Sequence, residues 1–416
     1  MEAAAADFRV VTPADWAGRI EAELVGNILP FWPRHVMDRT RGGFFGEVGE
    51  DLAIRPDAPR AAVINTRILW TYAAAARTVS PAWRSVADWA FAYIRDHFWD
   101  SQHGGLFWML DGMGAPRDPR KQTYAQAFGI YALSEYHRLS GDPAPLEFAK
   151  RLYALIERHC FDPVHGGYFE ARSRAWEALA DMRLSDKDLN SPKSMNTHLH
   201  VLEGYTNLLR VWPDDGLKAK QKALLAVMLD RIVDAQSGHF RLFFDEEWHS
   251  LLEHVSFGHD IEGSWLILEA AEVLGDAALL ERARAVAIRM ARVSLAQALD
   301  PDGSMLFEAD CAGHILDAKK HWWVQAEAVV GFYNAYQATG EAAFREAALR
   351  AWMYIETRVV DRVHGEWHAK LTREGAVLTE AEDPDAVLAG PWKCPYHNAR
   401  VCYEMLNRLG SENKTP

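Results

Sequence analysis

The amino-acid sequence repeats a short glycine-containing motif six times, and this repeat limits the folds that the chain can adopt. The six copies read RGGFFGEV, HGGLFWML, HGGYFEAR, SGHFRLFF, DGSMLFEA and HGEWHAKL. Their first glycines are Gly42, Gly104, Gly166, Gly238, Gly303 and Gly365, at intervals of 62, 62, 72, 65 and 62 residues. Self-similarity at a nearly fixed period indicates one supersecondary unit repeated along the chain.

Each repeat predicts one short strand and two helices. The turn glycine is followed by alternating aromatic and apolar residues, a pattern typical of a strand or hairpin. Helical periodicity in the first two units covers about 59–78, 82–98, 120–139 and 145–160. Two helices in each of six units give about twelve helices.

The number of units favours a closed ring over an open stack. An open stack of helical hairpins needs polar capping repeats and accepts any number of units. Six units with apolar helices at both ends of the chain instead predict an all-α fold, an (α/α)6 barrel with short β-hairpins at one end. We expect a single domain over residues 1–416, with loose termini at 1–12 and 411–416. A polar loop over 181–193 accounts for the longest interval, and loops of this size are often functional.

Charge and composition exclude several classes of function. The net charge of −13 is spread along the chain, which argues against a nucleic-acid or anionic-membrane partner. No apolar run approaches the length of a membrane span, and the acidic N-terminal residues do not fit a signal peptide. The four cysteines form no C-x-x-C pair, so we expect a reduced, cytoplasmic protein. A monomer and a homodimer both stay open.

Polar and aromatic residues recur in the first turns of every second helix. They are Asn65, Arg67, Tyr124, Gln126, Asn196, His198, His200, His259, Asp260, Glu262, His321, Trp322, Trp323, Glu327, His397 and Arg400. In a closed ring these helices are the inner ones, and their N-terminal ends converge on one pocket. Residues three or four positions apart, such as His259 and Glu262, share a helix face. His198 points away from His200, and we expect it to be structural.

The spacing of these residues excludes several kinds of chemistry. The histidines lack zinc-site spacing, so we expect no metal. The chain has no phosphate-binding or dinucleotide fingerprint and no G-x-S-x-G elbow. A glycosidase needs two positioned carboxylates, for which Asp260, Glu262 and Glu327 are candidates.

Imidazole rather than carboxylate dominates the predicted pocket. Imidazole suits proton transfer near neutral pH. Two imidazoles on opposite faces of a substrate carbon can remove a proton from one face and return it to the other. This reaction needs a neighbouring carbonyl and a cation for the enediolate oxygen, and Arg67 is suitably positioned. The 16 tryptophans include faces that can stack on sugar C–H surfaces.

Four motifs together resemble the cellobiose 2-epimerases of the N-acylglucosamine 2-epimerase superfamily. These are MNTHLHVLEGY, SFGHDIEGSWLI, KHWWVQAEA and WKCPYHNAR, in this order. The resemblance extends from about Trp16 to about Leu409 and implies an α/α six-barrel, in agreement with the repeat. It also implies cofactor-free 2-epimerisation of the reducing-end sugar of β-1,4-linked disaccharides, converting cellobiose to glucosyl-mannose or lactose to epilactose.

The resemblance implies a role for each matching residue. His397 and His259 are the implied acid–base pair at C2 of the sugar, and His200 handles the O1/O5 proton during ring opening. Arg67 stabilises the cis-enediolate, and Glu262 supports His259. The residues implied to bind and orient the sugar are Tyr124, Asn196, Trp323 and Trp392.

Several alternatives stay open at this point. The shared histidines also fit a mannose 2-epimerase, an aldose–ketose isomerase, an N-acyl-hexosamine 2-epimerase or a carbohydrate-binding protein without turnover. Cys394 departs from the small residue that is more usual in the family. Trp323 is favoured over Trp322 for sugar stacking because Glu327 lies on the same helix face. The role of Arg400 stays open, since pairing with a neighbouring acid explains it equally well.

Overall fold

Helices carry most of the chain. The computed structural model describes residues 11–412. Within this range the α-helices are α1 Pro13–Glu23, α2 Leu29–Phe31, α3 Ala62–Thr78, α4 Arg84–Tyr93, α5 Thr123–Ser140, α6 Pro143–His159, α7 Met195–Val211, α8 Asp215–Val227, α9 Phe257–Leu274, α10 Ala277–Gln297, α11 Trp322–Thr339, α12 Ala342–Tyr354 and α13 Tyr396–Glu412. The π-helical turns are Leu24–Ile28, Trp32–Val36, Ile94–Phe98, Met228–Ile232 and Ile355–Val359. The first two flank α2, so α1 and α2 form one long outer helix.

Six inner helices form a closed ring. Contacts lead from α3 to α5, α7, α9, α11 and α13 in turn, and α13 packs back against α3. Each inner helix carries an outer partner: α4 on α3, α6 on α5, α8 on α7, α10 on α9, α12 on α11 and α1 on α13. The predicted (α/α)6 barrel is therefore confirmed.

Burial separates the inner helices from the outer ones. Every residue of α3 from Ala62 to Ala76 is buried, as is every residue of α5 from Thr123 to Tyr136. The outer helix α6 instead buries a stripe that includes Phe148, Leu152 and Ile156. A helix that is buried all round belongs in an interior, whereas an amphipathic helix covers one. The core therefore lies between the two layers and along the ring.

Short strands connect consecutive repeats beside the N-terminal ends of the inner helices. In the described residues they are β1 Arg60–Ala61, β2 Met109–Leu110, β3 Pro116–Asp118, β4 Lys121–Gln122, β5 Ala171–Arg172, β6 Lys193–Ser194, β7 Phe243–Phe244, β8 His254–Ser256, β9 Glu308–Asp310, β10 Ile315–Asp317, β11 Lys320–His321 and β12 Lys370–Leu371. The pairs β1–β2, β4–β5, β6–β7, β8–β9 and β11–β12 each join one repeat to the next. A bridge between Val48 and Ala389 joins the last repeat to the first.

The repeated glycines each occupy a turn that needs glycine. The first glycine of every copy has a φ between 73° and 92°, the left-handed region. Its N–H donates to the carbonyl of an aspartate at the start of the turn. These aspartates are Asp38, Asp100, Asp162, Asp234, Asp300 and Asp361, and sequence analysis did not single them out.

Residue 12 and residues 411–412, which were expected to belong to loose termini, are part of the ordered helical ends. The Thr12 hydroxyl accepts from the backbone N–H of Asp15 at 3.1 Å and caps α1. At the other end α13 continues through residues 411–412. Residues 1–10 and 413–416 lie outside the described part of the chain. Over residues 11–412, none of the helices has both the length and the apolar character required to cross a membrane.

Candidate active site

The first turns of the inner helices meet in one pocket. The guanidinium of Arg67 on α3 donates to the hydroxyl of Tyr124 on α5 at 2.8 Å. The Tyr124 ring in turn lies 4.9 Å from the ring of His200 on α7. Three of the predicted residues are thus connected across three consecutive inner helices.

Trp323 on α11 contacts both histidines that were predicted to act at C2. Its ring is 4.8 Å from the ring of His259 on α9 and 5.5 Å from that of His397 on α13. Trp323 is partly exposed, whereas Trp322 is buried with its ring 6.2 Å from that of His397. Trp323 is therefore the tryptophan of this pair whose ring lies near both histidines.

A carboxylate holds the ring of His397. Nδ1 of His397 lies 2.7 Å from Oε1 of Glu327, whose Oε2 accepts from Nε1 of Trp265 at 3.0 Å. This contact assigns the ring proton to Nδ1 and leaves Nε2 free to accept a proton. Burial, followed by the charge of Arg400, keeps the pKa of His397 well below its usual range. The ring is therefore neutral at neutral pH, with Nε2 unprotonated.

His259 has a hydroxyl partner instead of a carboxylate. Its Nδ1 lies 2.7 Å from Oγ of Ser256, and burial lowers its pKa to about 3. The contacts correct the role expected of Glu262 as the support of His259. Oε1 of Glu262 accepts from Arg400 and lies 4.0 Å from Nδ1 of His397. The reason is local: the His259 ring bonds back to the residue before α9, while Glu262 faces α13.

His200 is held by a residue that sequence analysis missed. Its Nδ1 lies 2.9 Å from Oε2 of Glu203, one turn further along α7. Both side chains are buried, and burial lowers the pKa of His200. The three-residue spacing of His200 and Glu203 matches that of His259 and Glu262. That spacing is the sequence signal that could have identified Glu203.

Arg400, whose role the sequence left open, joins three buried glutamates. Its Nη1 donates to Oε1 of Glu203 at 2.6 Å, and its Nη2 donates to Oε1 of Glu327 at 2.6 Å. Nη2 also donates to Glu262, and Nη1 contacts the Tyr396 hydroxyl. The Arg400 side chain is 1% exposed. One guanidinium thus organises carboxylates from α7, α9 and α11.

The excess of carboxylates sets the protonation of this cluster. Burial and the neighbouring Glu327 raise the pKa of Glu262 to about 8. Burial also acts against ionisation of Glu203, but Arg400 and His200 hold its pKa at about 2. At neutral pH, Glu203 is therefore ionised, whereas Glu262 takes up a proton more readily than an ordinary glutamate.

The same cluster has donor atoms that could ligate a metal ion. One atom each of Glu262, Glu327 and His397 lie within 4.8 Å of one another. However, Arg400 already donates to both carboxylates, and a bound cation would be repelled by its guanidinium. This donor set suits the guanidinium better than a metal. The absence of a metal requirement stays a prediction.

Within residues 11–412, the guanidinium of Arg67 forms no ion pair with a carboxylate. It lies over the rings of Phe128 and Tyr396, at 4.3 and 4.7 Å from their centroids, and Nη1 is 3.9 Å from Sγ of Cys394. Among the residues that the structure describes, Nε of Arg67 has no hydrogen-bond partner. A buried cation of this kind suits an oxygen that gains negative charge during a reaction.

Aromatic and amide groups complete the pocket. The ring of Trp392 is partly exposed and lies 6.1 Å from the rings of Trp108 and Tyr124. Oδ1 of Asn196 is buried and has no hydrogen-bond partner within residues 11–412. An amphipathic ring and an unpaired amide oxygen are groups that suit a polyhydroxylated ligand.

Comparison with known proteins identifies the family. A model of the N-acylglucosamine 2-epimerase (GlcNAc 2-epimerase) family matches residues 43–389. The chain belongs to this family. It is 44% identical over 388 residues to the cellobiose 2-epimerase of Bacteroides fragilis, covering 93% of this chain and 97% of the relative. The cellobiose 2-epimerase of Ruminococcus albus is 37% identical over 391 residues, covering 94% and 98%.

A solved structure agrees with the sequence comparison. The cellobiose 2-epimerase from Bacillus thermoamylovorans B4167 superposes on this chain with a TM-score of 0.89 at 39% identity. The match covers 95% of this chain and 100% of the other. The family resemblance predicted from the four motifs is therefore confirmed.

The long polar loop of this N-acylglucosamine 2-epimerase family member reaches across the ring. Within the loop 181–193, Lys187 forms an ion pair with Asp385, in the segment before α13. Gln122 donates to the carbonyl of Arg183 in the same loop at 2.8 Å. Because α7 and α13 are the third and sixth of six inner helices, the Lys187–Asp385 contact joins opposite sides of the pocket end.

Two other residues that were candidates for the site, His198 and Asp260, have structural partners. Nε2 of His198 accepts from the backbone N–H of Tyr168 at 2.8 Å, and its Nδ1 lies 2.6 Å from the carbonyl of Ser194. Asp260 is bonded to Nδ1 of His239 at 2.7 Å. Both side chains therefore stabilise the end of the barrel that carries the strands, and neither forms a hydrogen bond with His200, His259 or His397.

Buried histidines make the stability of this family member depend on pH. Burial lowers the pKa of His198 to about 4, whereas the unfolded ring titrates near about 6.5. Below that pH the unfolded state binds more protons than the folded state. We expect the free energy of unfolding to fall between pH 6.5 and 4, by up to about 1.4 kcal/mol per pH unit from this ring.

Urea denaturation at pH 7 and pH 5 measures this change. His198→Gln, whose side chain does not titrate, should lose less stability over the interval than the unsubstituted protein. An equal loss in both proteins would contradict the prediction.

Proposed function

We propose that this chain is a cofactor-free 2-epimerase of the reducing-end sugar of β-1,4-linked disaccharides such as cellobiose and lactose. The prediction of a carbohydrate epimerase is confirmed by the family match and by relatives named cellobiose 2-epimerase at 37 and 44% identity. A cytoplasmic location and a monomeric or homodimeric state belong to the same proposal.

One observation carries the proposal: two imidazoles contact one tryptophan ring in a pocket that also holds Arg67, which has no ion-pair partner among residues 11–412. His259 and His397 each engage Nδ1 with a protein group, so Nε2 of each is available for proton transfer. Both also lie against Trp323. Such a pair can remove the C2 proton with one ring and return a proton to C2 with the other.

The proposed reaction begins with ring opening. His200 moves the proton between O1 and O5, which exposes the C1 aldehyde of the sugar. The aldehyde acidifies the proton on C2, and one histidine of the pair removes it. The electron pair moves onto the C1 oxygen and forms a cis-enediolate, whose negative charge Arg67 stabilises.

The second half of the proposed reaction inverts C2. The intermediate rotates about the C2–C3 bond and presents its opposite face. The other histidine then donates a proton to C2, and ring closure through His200 completes the epimer. Tyr124, Asn196, Trp323 and Trp392 bind and orient the sugar in this proposal.

Exchange in deuterated water tests the proposal. We expect the purified protein to convert cellobiose to glucosyl-mannose while deuterium enters C2. Proton NMR measures both the product and the exchange. EDTA should not change the rate. Lactose, mannose, glucose and N-acetylglucosamine form the substrate panel. A ketose product would indicate an aldose–ketose isomerase, because the proton then returns to C1. If no deuterium enters C2 of any of these sugars, the proposed epimerase function is contradicted.

A further inference from the structure

Glu203 is the carboxylate that connects the histidine of α7 to the arginine cluster of α13. Its Oε2 lies 2.9 Å from Nδ1 of His200, and its Oε1 accepts from Nη1 of Arg400 at 2.6 Å. The Tyr396 hydroxyl also donates to Oε1. Glu203 is 3% exposed. Both of its oxygens are therefore engaged, each toward a different part of the pocket.

The Nη2 atom of Arg400 is connected to His397 through Glu327. Nη2 of Arg400 donates to Oε1 of Glu327 at 2.6 Å, and the same oxygen lies 2.7 Å from Nδ1 of His397. One continuous set of buried hydrogen bonds thus runs from His200 through Glu203, Arg400 and Glu327 to His397. Linked hydrogen bonds in a low-dielectric interior strengthen one another and restrict the geometry of their members, although Nε of Arg400 has no hydrogen-bond partner within residues 11–412.

This arrangement fixes both rings in the same way. A carboxylate beside Nδ1 assigns the ring proton to that nitrogen and leaves Nε2 as the basic atom. A base in the wrong tautomer cannot accept a proton at the reacting position. Removing the carboxylate that sets the tautomer would therefore affect catalysis without any contact to the sugar.

We propose that Glu203 is a positioning residue of the epimerisation reaction, which orients His200 directly and the carboxylates behind His397 through Arg400. This inference rests on the proposed function. It adds a residue that neither the motif resemblance nor the repeat pattern assigned to the reaction. The charged or titratable groups facing His200 are Glu203, Tyr124, Arg67, Arg400, His259 and His397.

The test compares Glu203→Gln with a matched control, Glu135→Gln. Glu135 on α5 is also a buried carboxylate held by arginines, accepting from Arg77 at 2.7 Å and Arg138 at 2.9 Å. It lies near the C-terminal end of α5, away from the pocket. We expect Glu203→Gln to lower kcat about 100-fold, the scale of a misplaced catalytic group, with KM changing less. Glu135→Gln should keep kcat within about twofold.

Two further readouts separate positioning from a purely structural role. In 15N-histidine NMR, the unsubstituted protein should show His200 with its proton on Nδ1, and Glu203→Gln should lose that preference. The acidic limb of the kcat/KM profile should move to lower pH, because the imidazolium loses an anion that favours it. Tyr396→Phe keeps the buried ring but removes one donor to Glu203, and a severalfold loss of kcat is expected.

The outcomes decide the inference even if one variant folds poorly. Folded Glu203→Gln and Tyr396→Phe with unchanged kcat, pH profile and His200 tautomer would overturn it, as would an equal loss in Glu135→Gln. If Glu203→Gln does not fold, Tyr396→Phe carries the same test. The tautomer measurement needs no turnover. An unsubstituted protein without C2 exchange would therefore refute the proposed function, whereas an unchanged tautomer refutes the positioning role.

Discussion

His397→Ala and His259→Ala should each abolish conversion of cellobiose to glucosyl-mannose while leaving sugar binding measurable. General acid–base groups contribute about 10²- to 10⁴-fold to rate, and inversion needs a proton donor on the face opposite the base. Loss of either ring therefore stops turnover, although the other ring is intact. The measurement is the initial rate of glucosyl-mannose formation from cellobiose by proton NMR, and titration calorimetry measures the affinity for the sugar.

Exposed histidines provide the matched controls. His249 and His314 each pair with an aspartate in a surface turn, with side chains 71% and 80% exposed. Alanine at either position should leave the rate of glucosyl-mannose formation within about twofold. Full activity in His397→Ala or His259→Ala would contradict the assigned pair. Equal losses in the control variants would indicate that any histidine substitution perturbs the fold.

The barrel could be predicted because its information is local and repeated. Six turn glycines at a near-constant interval, each followed by a short strand and two helices, are visible without knowing any tertiary contact. Closure followed from the number of units and the apolar ends. The aspartates that accept from the turn glycines escaped notice because their role depends on backbone geometry, which a residue pattern does not display.

The sequence could predict which residues share a helix face in the pocket, but not which side chains contact one another there. The repeated first-turn positions brought His200, His259 and His397 into one group, and the family resemblance supplied their roles. The partners of His259 and His397 could not be predicted, because side-chain rotamers decide them, whereas the three-residue spacing could have identified Glu203 beside His200. Glu262 was expected beside His259 on the same face, but it turns to Arg400 instead.

Contacts between segments that are distant in the sequence could not be predicted either. Arg400 meets Glu203 and Glu262, which are 197 and 138 residues away in the sequence. Lys187 and Asp385 are 198 residues apart. A single sequence carries no signal that joins such positions, so Arg400 stayed unassigned until the ring was assembled.

Arg400→Met should be among the most destabilising substitutions in this protein. Methionine matches the length of the arginine stem but leaves Glu203, Glu262 and Glu327 buried without their shared cation. Removing one partner of a buried ion pair costs about 3–5 kcal/mol, because a charge stays uncompensated. We expect a decrease of this size in the free energy of unfolding at pH 7, measured by urea denaturation. Arg77→Met is the control, since Glu135 keeps Arg138 as a partner.

The pH dependence of this variant identifies the cause of the loss. Arg400 lowers the pKa of all three carboxyls, so its loss raises each of them, and the pKa values of Glu262 and Glu327 already lie above the unfolded value of about 4.3. A folded state that holds more protons than the unfolded state loses stability as pH rises through that window. Arg400→Met should therefore be closer to the unsubstituted protein at pH 5 than at pH 8.

A second substitution tests whether uncompensated charge or lost packing is responsible. Glu262→Gln in the Arg400→Met background removes one buried carboxyl and should recover part of the stability at pH 8. The same change in the unsubstituted protein should recover nothing, because Arg400 there loses an acceptor. The two effects should differ by about 1 kcal/mol or more, as expected for residues in one network. Additive effects would show that Arg400 acts by filling space among the inner helices rather than by balancing the carboxylates.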